Sequence, residues 1–300
     1  MRTRSQKLLA LAIAVTLSSM TPALAKDGES NDFLRIRRDD SGTPLAMETS
    51  ITSFASADES QSVTVDLVGA VHIADKAYFD ELNKAFASYD AVLYELVAPH
   101  NVTPNPGERS ASAVSFLQTT MKSVLGLQFQ LDCVDYKKPN FVHADMTPEE
   151  FASTMKERGE SFAQMFLRMF GQSIAMQSRD PGRSSDAQLL AALFASPEER
   201  ARRMKRIMAE QFQDMDAATS VLDGPNGSTI LTERNKAALR VLKTEMAKGK
   251  KKRIAIFYGA AHLPDMEERL ISEFKLKRTG LKWVTAWDLE SKPKEKPPAE

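Results

Sequence analysis

Two copies of one short phrase, Gly69-Ala70-Val71-His72-Ile73 and Gly259-Ala260-Ala261-His262-Leu263, constrain this chain more than any other feature. Each follows a run with β character, Val63 to Val68 and Arg253 to Tyr258, and each precedes residues with helical spacing. A strand that ends on Gly and hands over to a helix is the corner of an α/β unit. Open α/β sheets carry their chemistry at the carboxyl ends of parallel strands, so His72 and His262, from opposite halves of the chain, are expected to meet at one crevice. The Gly is expected to permit a tight turn, and the small residues after it to allow close backbone approach. Asp75 and Asp265, three residues beyond each His, are expected to cap or charge-stabilise the next helix. The positive end of that helix disfavours imidazolium, and a neutral ring can bind a metal or accept a proton. The plainer alternative is that each His satisfies a loop.

The flanking pattern defines the fold class. Phe33 to Arg38 and Leu45 to Phe54 read as extended, with a turn at Ala57 to Ser60 and an antiparallel entry into the sheet. Phe79, Leu82, Phe86 and Tyr89 recur at helical spacing between Asp75 and Tyr89, and Ala91 to Val97 returns to an apolar run, which together make a parallel βαβ unit. Two capping boxes, Thr147-Pro148-Glu149-Glu150 and Ser196-Pro197-Glu198-Glu199, start helices. They lie in a middle third, about 107–222, that reads as a largely helical insertion carrying stripes such as Met165, Phe166, Met169 and Phe170. Asp223 to Gly227 is a loop, a helix follows from about 228 to 248, and Lys282 to Leu289 is a last strand with Trp283, Thr285 and Trp287 on one face. The expectation is an α/β domain over 26–290, with a central mixed, partly parallel sheet flanked by helices and a disordered Lys/Pro/Glu tail at 291–300.

The first residues read as a secretory signal: Arg2, Arg4 and Lys7, an apolar core from Leu8 to Leu17, then Ala23-Leu24-Ala25 as the cleavage site. The apolar run is too short for a comfortable membrane span. A soluble periplasmic or secreted protein beginning near Lys26 is expected, without stable membrane insertion. Only Cys133 is present, so stability must come from the core, for which 42% hydrophobic residues suffice. The signal carries three basic residues and no acidic one, so its removal takes the formal charge from 0 to −3. That balance excludes a general nucleic-acid partner; the basic run Lys248 to Arg253 reads as a solvated helix end.

Other residues bear on the same crevice. Glu95 interrupts a strand that otherwise looks buried on both faces and lies near its carboxyl end, the edge that carries His72. A carboxylate there must be paired or coordinated, because an unpaired buried ion costs several kcal/mol. Arg234 and Asn235 fall on the helical stripe of Leu231, Ala238, Val241 and Leu242, which should face inward. An inward guanidinium needs an anion: Glu95, or the oxyanion of a reacting carbonyl. His143 and Asp145 precede a capped helix and could line the crevice, with Asp145 read first as a loop or cap residue. His100 reads as loop. Two His and one Glu, His72, His262 and Glu95, match a catalytic metal site with an open position for water.

In order, Gly-x-x-His after a strand, Glu95 at the end of the next strand, Glu233-Arg234-Asn235 opening a late helix and a second Gly-x-x-His before the last helix resemble the TraB/GumN family. That family is grouped with the Tiki proteases and, more distantly, with erythromycin-esterase and ChaN-like proteins. The resemblance runs from about Val63 to Lys275; the motif segments carry it, and the helical middle matches by position. It implies an α/β fold with a helical insertion and, for the Tiki branch, a peptidase that depends on a divalent metal, manganese or cobalt, and acts on a peptide or protein substrate. Residue by residue it points to His72, Glu95, Arg234, Asn235 and His262. Some relatives work without metal or bind haem, which leaves two alternatives. One is a metal-independent esterase-like hydrolase with His72 as base and Glu95 orienting it. The other is a non-catalytic peptide- or haem-binding protein, with Tyr94 and Tyr258 as conceivable haem contacts.

Overall fold

The computed structural model describes residues 32–56, 63–104, 125–161, 196–223 and 226–290, all within one unit, Asn31–Glu300. The expected signal segment, the expected turn at Ala57 to Ser60, much of the expected insertion including Met165 to Phe170, and the tail from 291 lie outside the described residues.

A seven-stranded sheet organises the chain. Its antiparallel wing is built on β2 (Pro44–Ser56), which pairs with β1 (Leu34–Arg38), β3 (Thr64–Ala70) and, along nearly its whole length, β9 (Leu276–Asp288). Its parallel half runs β3, β8 (Arg253–Gly259), β5 (Ala91–Tyr94), β7 (Phe141–His143). The mixed α/β architecture expected from the sequence is therefore present. In β8, Ile254, Ala255, Ile256 and Phe257 are fully buried. Such an uninterrupted apolar run suits a strand covered on both faces.

Register makes the doubled phrase meaningful. Ala70 of β3 pairs with Gly259 of β8, so the two corners leave the sheet side by side. Tyr94 of β5 pairs with Phe257 on the other side of β8, which brings Glu95 to the same edge. The first corner continues through β4 (Ile73–Ala74), paired with β6 (Gln128–Phe129), into α1 (Lys76–Phe86), which buries Tyr78, Phe79, Leu82 and Phe86. The second passes through a 3-10 turn, Ala260–His262, into α6 (Leu263–Ser272). Between them lie α2 (Gln130–Cys133), α3 (Pro148–Glu157), α4 (Pro197–Asp223) and α5 (Arg234–Ala247).

Several local expectations are revised. Neither Gly69 nor Gly259 has a positive φ, so neither is required by a tight turn. Gly69 is there for close approach: a Cβ would stand 3.2 Å from the Phe33 carbonyl oxygen and 3.3 Å from that of Ser50. The segment expected as helical insertion contains β7, a strand of the main sheet, so the chain returns to the core before α3. The box at Thr147 is complete, whereas at Ser196 the hydroxyl accepts from Glu199 N while the Glu199 carboxylate turns to Arg203. In β9 a bulge opposite Met47 and Glu48 shifts the alternation. Trp287 is thereby buried with Val284 instead of sharing the more exposed face of Trp283 and Thr285.

Candidate functional site

The carboxyl edge of β3, β8 and β5 gathers His72, His262 and Glu95, and the start of α5 adds Arg234 and Asn235. Arg234 is delivered by an unusual helix entry. Gly227 (φ 70) turns the chain, Ser228 Oγ accepts from Leu231 N at 3.2 Å, and a π-helical turn, Thr229–Glu233, precedes α5. A Cβ on Gly227 would sit 2.4 Å from Thr232 Oγ1, so only glycine fits. π turns widen the backbone and re-aim the side chains that follow; here Arg234 and Asn235 both emerge inward, at 9% and 0% exposure.

Arg234 joins two carboxylates. Its Nε and Nη2 donate to Asp145 at 3.0 and 2.5 Å, and Nη2 also donates to Glu95 Oε1 at 2.8 Å. Asp145 follows β7, has a fully buried side chain, and takes this bidentate pair together with Met146 N. It is thus a member of the site rather than the loop or cap residue expected from the sequence, while Thr147 caps the helix as its capping box predicts. With Nε and Nη2 committed to these carboxylates, Arg234 is a holder of Glu95 before it is a stabiliser of any reacting oxyanion. Tyr258 donates to the carbonyl of Ala144 and sets its ring edge-on to His262 at 5.2 Å. It is fully buried, and Tyr94 is 4% exposed; both serve as core residues.

Glu95 Oε2 accepts from Gly259 N at 2.7 Å, and Oε1 lies 3.6 Å from His262 Nε2. Burial alone would raise the Glu95 pKa, but His262, Arg234, His72 and the Gly259 N–H outweigh it and hold the group down to about 2. For His262, burial is the main cause of a pKa lowered to about 4, which Glu95 opposes and Arg234 assists. At neutral pH the pair is carboxylate and neutral imidazole. The neutrality expected from a helix end is present at His262, with burial as its cause. His72 is exposed at the mouth and within electrostatic reach of both Glu95 and His262.

The tautomer of His262 follows from hydrogen-bond logic. Asn235 Nδ2 donates to His262 O at 3.1 Å and to Asp265 Oδ2 at 2.8 Å, so its Oδ1 is the atom facing His262 Nδ1 at 2.7 Å. That oxygen only accepts; His262 Nδ1 must carry the proton, and Nε2 presents a lone pair toward Glu95. His72 repeats the pattern in part. Its Nδ1 lies 3.1 Å from Gln130 Oε1, while Gln130 Nε2 donates to Tyr136 Oη at 2.8 Å. His262 therefore offers a bare Nε2, while at His72 the Tyr136 hydroxyl can donate or accept and leaves the tautomer to the Gln130 amide; a side-chain amide orients each ring from behind, an arrangement that suits metal ligation. Asp265 acts behind Asn235, and Asp75 takes Lys205 Nζ and Asp288 N; neither side chain makes a capping hydrogen bond, although Asp75 occupies the N-cap position of α1 and Asp265 lies in the first turn of α6, positions that suit the charge-stabilising role expected of them. The alternative with Glu95 orienting His72 also shifts, because Gln130 holds that Nδ1.

The donor set fits a divalent cation in part. Two ligand atoms each about 2.1 Å from one tetrahedral ion stand about 3.4 Å apart, and the Glu95 Oε1 to His262 Nε2 separation is 3.6 Å. Among the described residues no three His, Cys, Asp or Glu side chains stand close enough to enclose an ion as placed; His72 would have to supply the third donor. Sequence reasoning missed Gln130 and Tyr136. Gln130 shares the Leu127 to Val134 segment with two other polar residues, Gln128 and Asp132, so no local signal singled it out, and nothing local ties that segment to His72. The tie is β6 itself, with Gln130 N donating to His72 O at 2.9 Å. Comparison of the chain with family models, curated proteins and solved structures returned no match.

Proposed function

We propose that this chain is an exported, metal-assisted hydrolase of the TraB/Tiki type, acting on peptide bonds. The carrying observation is that two acceptors face each other: the lone pair of His262 Nε2 and the ionised Glu95 Oε1, 3.6 Å apart with no proton between them. Two such groups in a buried pocket repel unless something electropositive joins them, and burial disfavours imidazolium. Glu95 Oε1, His262 Nε2 and His72 Nε2 would hold a divalent cation, manganese or cobalt by the family resemblance, which supplies Lewis acidity to a water and to a substrate carbonyl. Arg234 and Gly259 N keep Glu95 ionised and aimed. Asn235 keeps His262 in the ligating tautomer, and Gln130 orients the His72 ring.

Elemental analysis of the purified chain, with cleavage of a peptide library, tests the reading. About one equivalent of divalent metal and cleavage abolished by chelation are expected, and His72→Ala or His262→Ala should lose both. Undiminished hydrolysis after exhaustive chelation would overturn it in favour of metal-independent esterase-like chemistry. Haem uptake without cleavage of any peptide would point to a binding protein.

A further inference from the structure

Between α5 and the end of α6 lies a groove of about 400 Å3 lined by Lys236, Leu239, Arg240, Lys243, Arg269, Glu273 and Phe274. Lys236, Arg240 and Lys243 recur at i, i+4 and i+7 on α5, a single stripe, and Arg269 faces them from α6. Four cations thus border the groove against one carboxylate. Lys236 is shared with Glu233 at 2.9 Å, and Arg269 with Asp265 and Glu273. Arg240 and Lys243 are exposed and make no ion pair among the described residues. Leu239 and Phe274 supply the apolar part of the lining. Two unpaired cations, Arg240 and Lys243, beside two that are already shared, Lys236 and Arg269, converge from two helices and call for one multivalent anion with several acceptor oxygens.

The groove also has a wire to the sheet edge. Arg269 Nε holds both Asp265 oxygens at 3.1 and 2.9 Å, Asp265 Oδ2 accepts from Asn235 Nδ2 at 2.8 Å, and Asn235 Oδ1 accepts from His262 Nδ1 at 2.7 Å. A multivalent anion beside Arg269 competes with Asp265 for that guanidinium and frees Asp265 to pull harder on Asn235. We propose that this groove is a second binding site, specific for an oxyanion of the phosphate class, and that Arg269 transmits its occupancy through Asp265 and Asn235 to His262. The site stands apart from the hydrolase reading, because neither its ligand nor its readout involves turnover.

The test is calorimetric titration of the full chain with inorganic phosphate at constant ionic strength, and in a second arm with vesicles bearing phosphate headgroups, to distinguish a free anion from a lipid surface. Saturable binding in either arm is expected. It should weaken at least tenfold in Arg240→Ala/Lys243→Ala and survive in Lys84→Ala/Lys137→Ala, which removes the same charge from exposed positions elsewhere. Because the contacts are exposed, binding should also fall several-fold as salt shortens the screening length below about 8 Å. The His262 ring signals in an NMR spectrum should move with phosphate saturation, and not in Arg269→Gln. Absence of saturable binding in both arms, equal weakening by the Lys84/Lys137 control, or a His262 signal that ignores saturation would each overturn the proposal.

Discussion

At the scale of single residues, the site is a set of polar groups made affordable inside the protein by complete pairing. Asn235 is the clearest case, because one fully buried amide serves three partners: the His262 ring, the His262 carbonyl and Asp265. Asn235→Leu keeps the volume and strips all three of a partner. A buried group left without its hydrogen bond costs roughly 1–3 kcal/mol. The variant should therefore unfold earlier in denaturant by about that amount, and nitrogen-resolved NMR should report His262 as a mixture of tautomers. A single Nδ1–H tautomer in Asn235→Leu would refute Asn235 as the group that fixes the ring's tautomer.

At the scale of elements, two helix starts make contrasting predictions. Thr147 caps α3 in a complete box on an exposed surface, its hydroxyl accepting from Glu150 N at 3.1 Å while Glu150 Oε2 accepts from Thr147 N at 2.8 Å. Thr147→Ala should cost about 1 kcal/mol and leave any activity intact. Gly227 governs the entry of α5. Its positive φ and the Thr232 side chain 2.4 Å from a would-be Cβ leave no room for alanine, and overpacking of this kind costs typically about 1–3 kcal/mol. The turn is also clamped by Arg158, which donates to the carbonyls of Asn226 and Gly227 at 2.8 and 2.6 Å, and by Glu160, which accepts from Thr229 N at 3.0 Å. Strain at Gly227 must then be relieved through the π turn that positions Arg234. Gly227→Ala should lose activity out of proportion to its stability; equal losses in the two variants would mean that the π turn does not aim the site.

At the scale of the whole molecule, the buried edge makes stability depend on acid in a defined order. His262 has its proton affinity lowered by burial from 6.5 to about 4. Above pH 6.5 the ring is neutral in folded and unfolded chains alike. As the pH falls below that, the unfolded chain takes up a proton that the folded chain refuses, and stability declines until the folded ring also protonates near pH 4. Glu95, lowered from 4.5 to about 2, then contributes a second decline over that lower range, since its stabilisation is present above 4.5 and lost as it protonates. Protonated His262 helps keep Glu95 ionised, so the two steps remain separate. Urea midpoints measured from pH 8 to 3 should fall below pH 6.5, and His262→Asn should flatten the limb between 6.5 and 4. An unchanged limb in that variant would assign the acid sensitivity elsewhere.

How much of this was legible depends on the range of the interaction. The β-run, Gly, small residues, His order at 69–72 and 259–262 announced both corners, because strand and helix periodicities and a glycine at close approach are written locally. Glu95 and Arg234 were legible as misfits, since a charge in an apolar strand or on an inward helical stripe demands a partner wherever that partner lies. Gln130, Tyr136 and the true role of Asp145 were not, because each acquires meaning only from a strand pairing or a salt bridge between distant segments. The β9 bulge escaped for the same reason: its phase shift is set by the opposite strand. The sequence by itself determined an α/β chain with two histidine corners and a pair of charges in need of company. Only the tertiary structure decided that β3 and β8 are neighbours, with β5 beside β8, and which nitrogen of His262 stays bare, because hydrogen-bond partners are allotted by folded geometry and not by position along the chain.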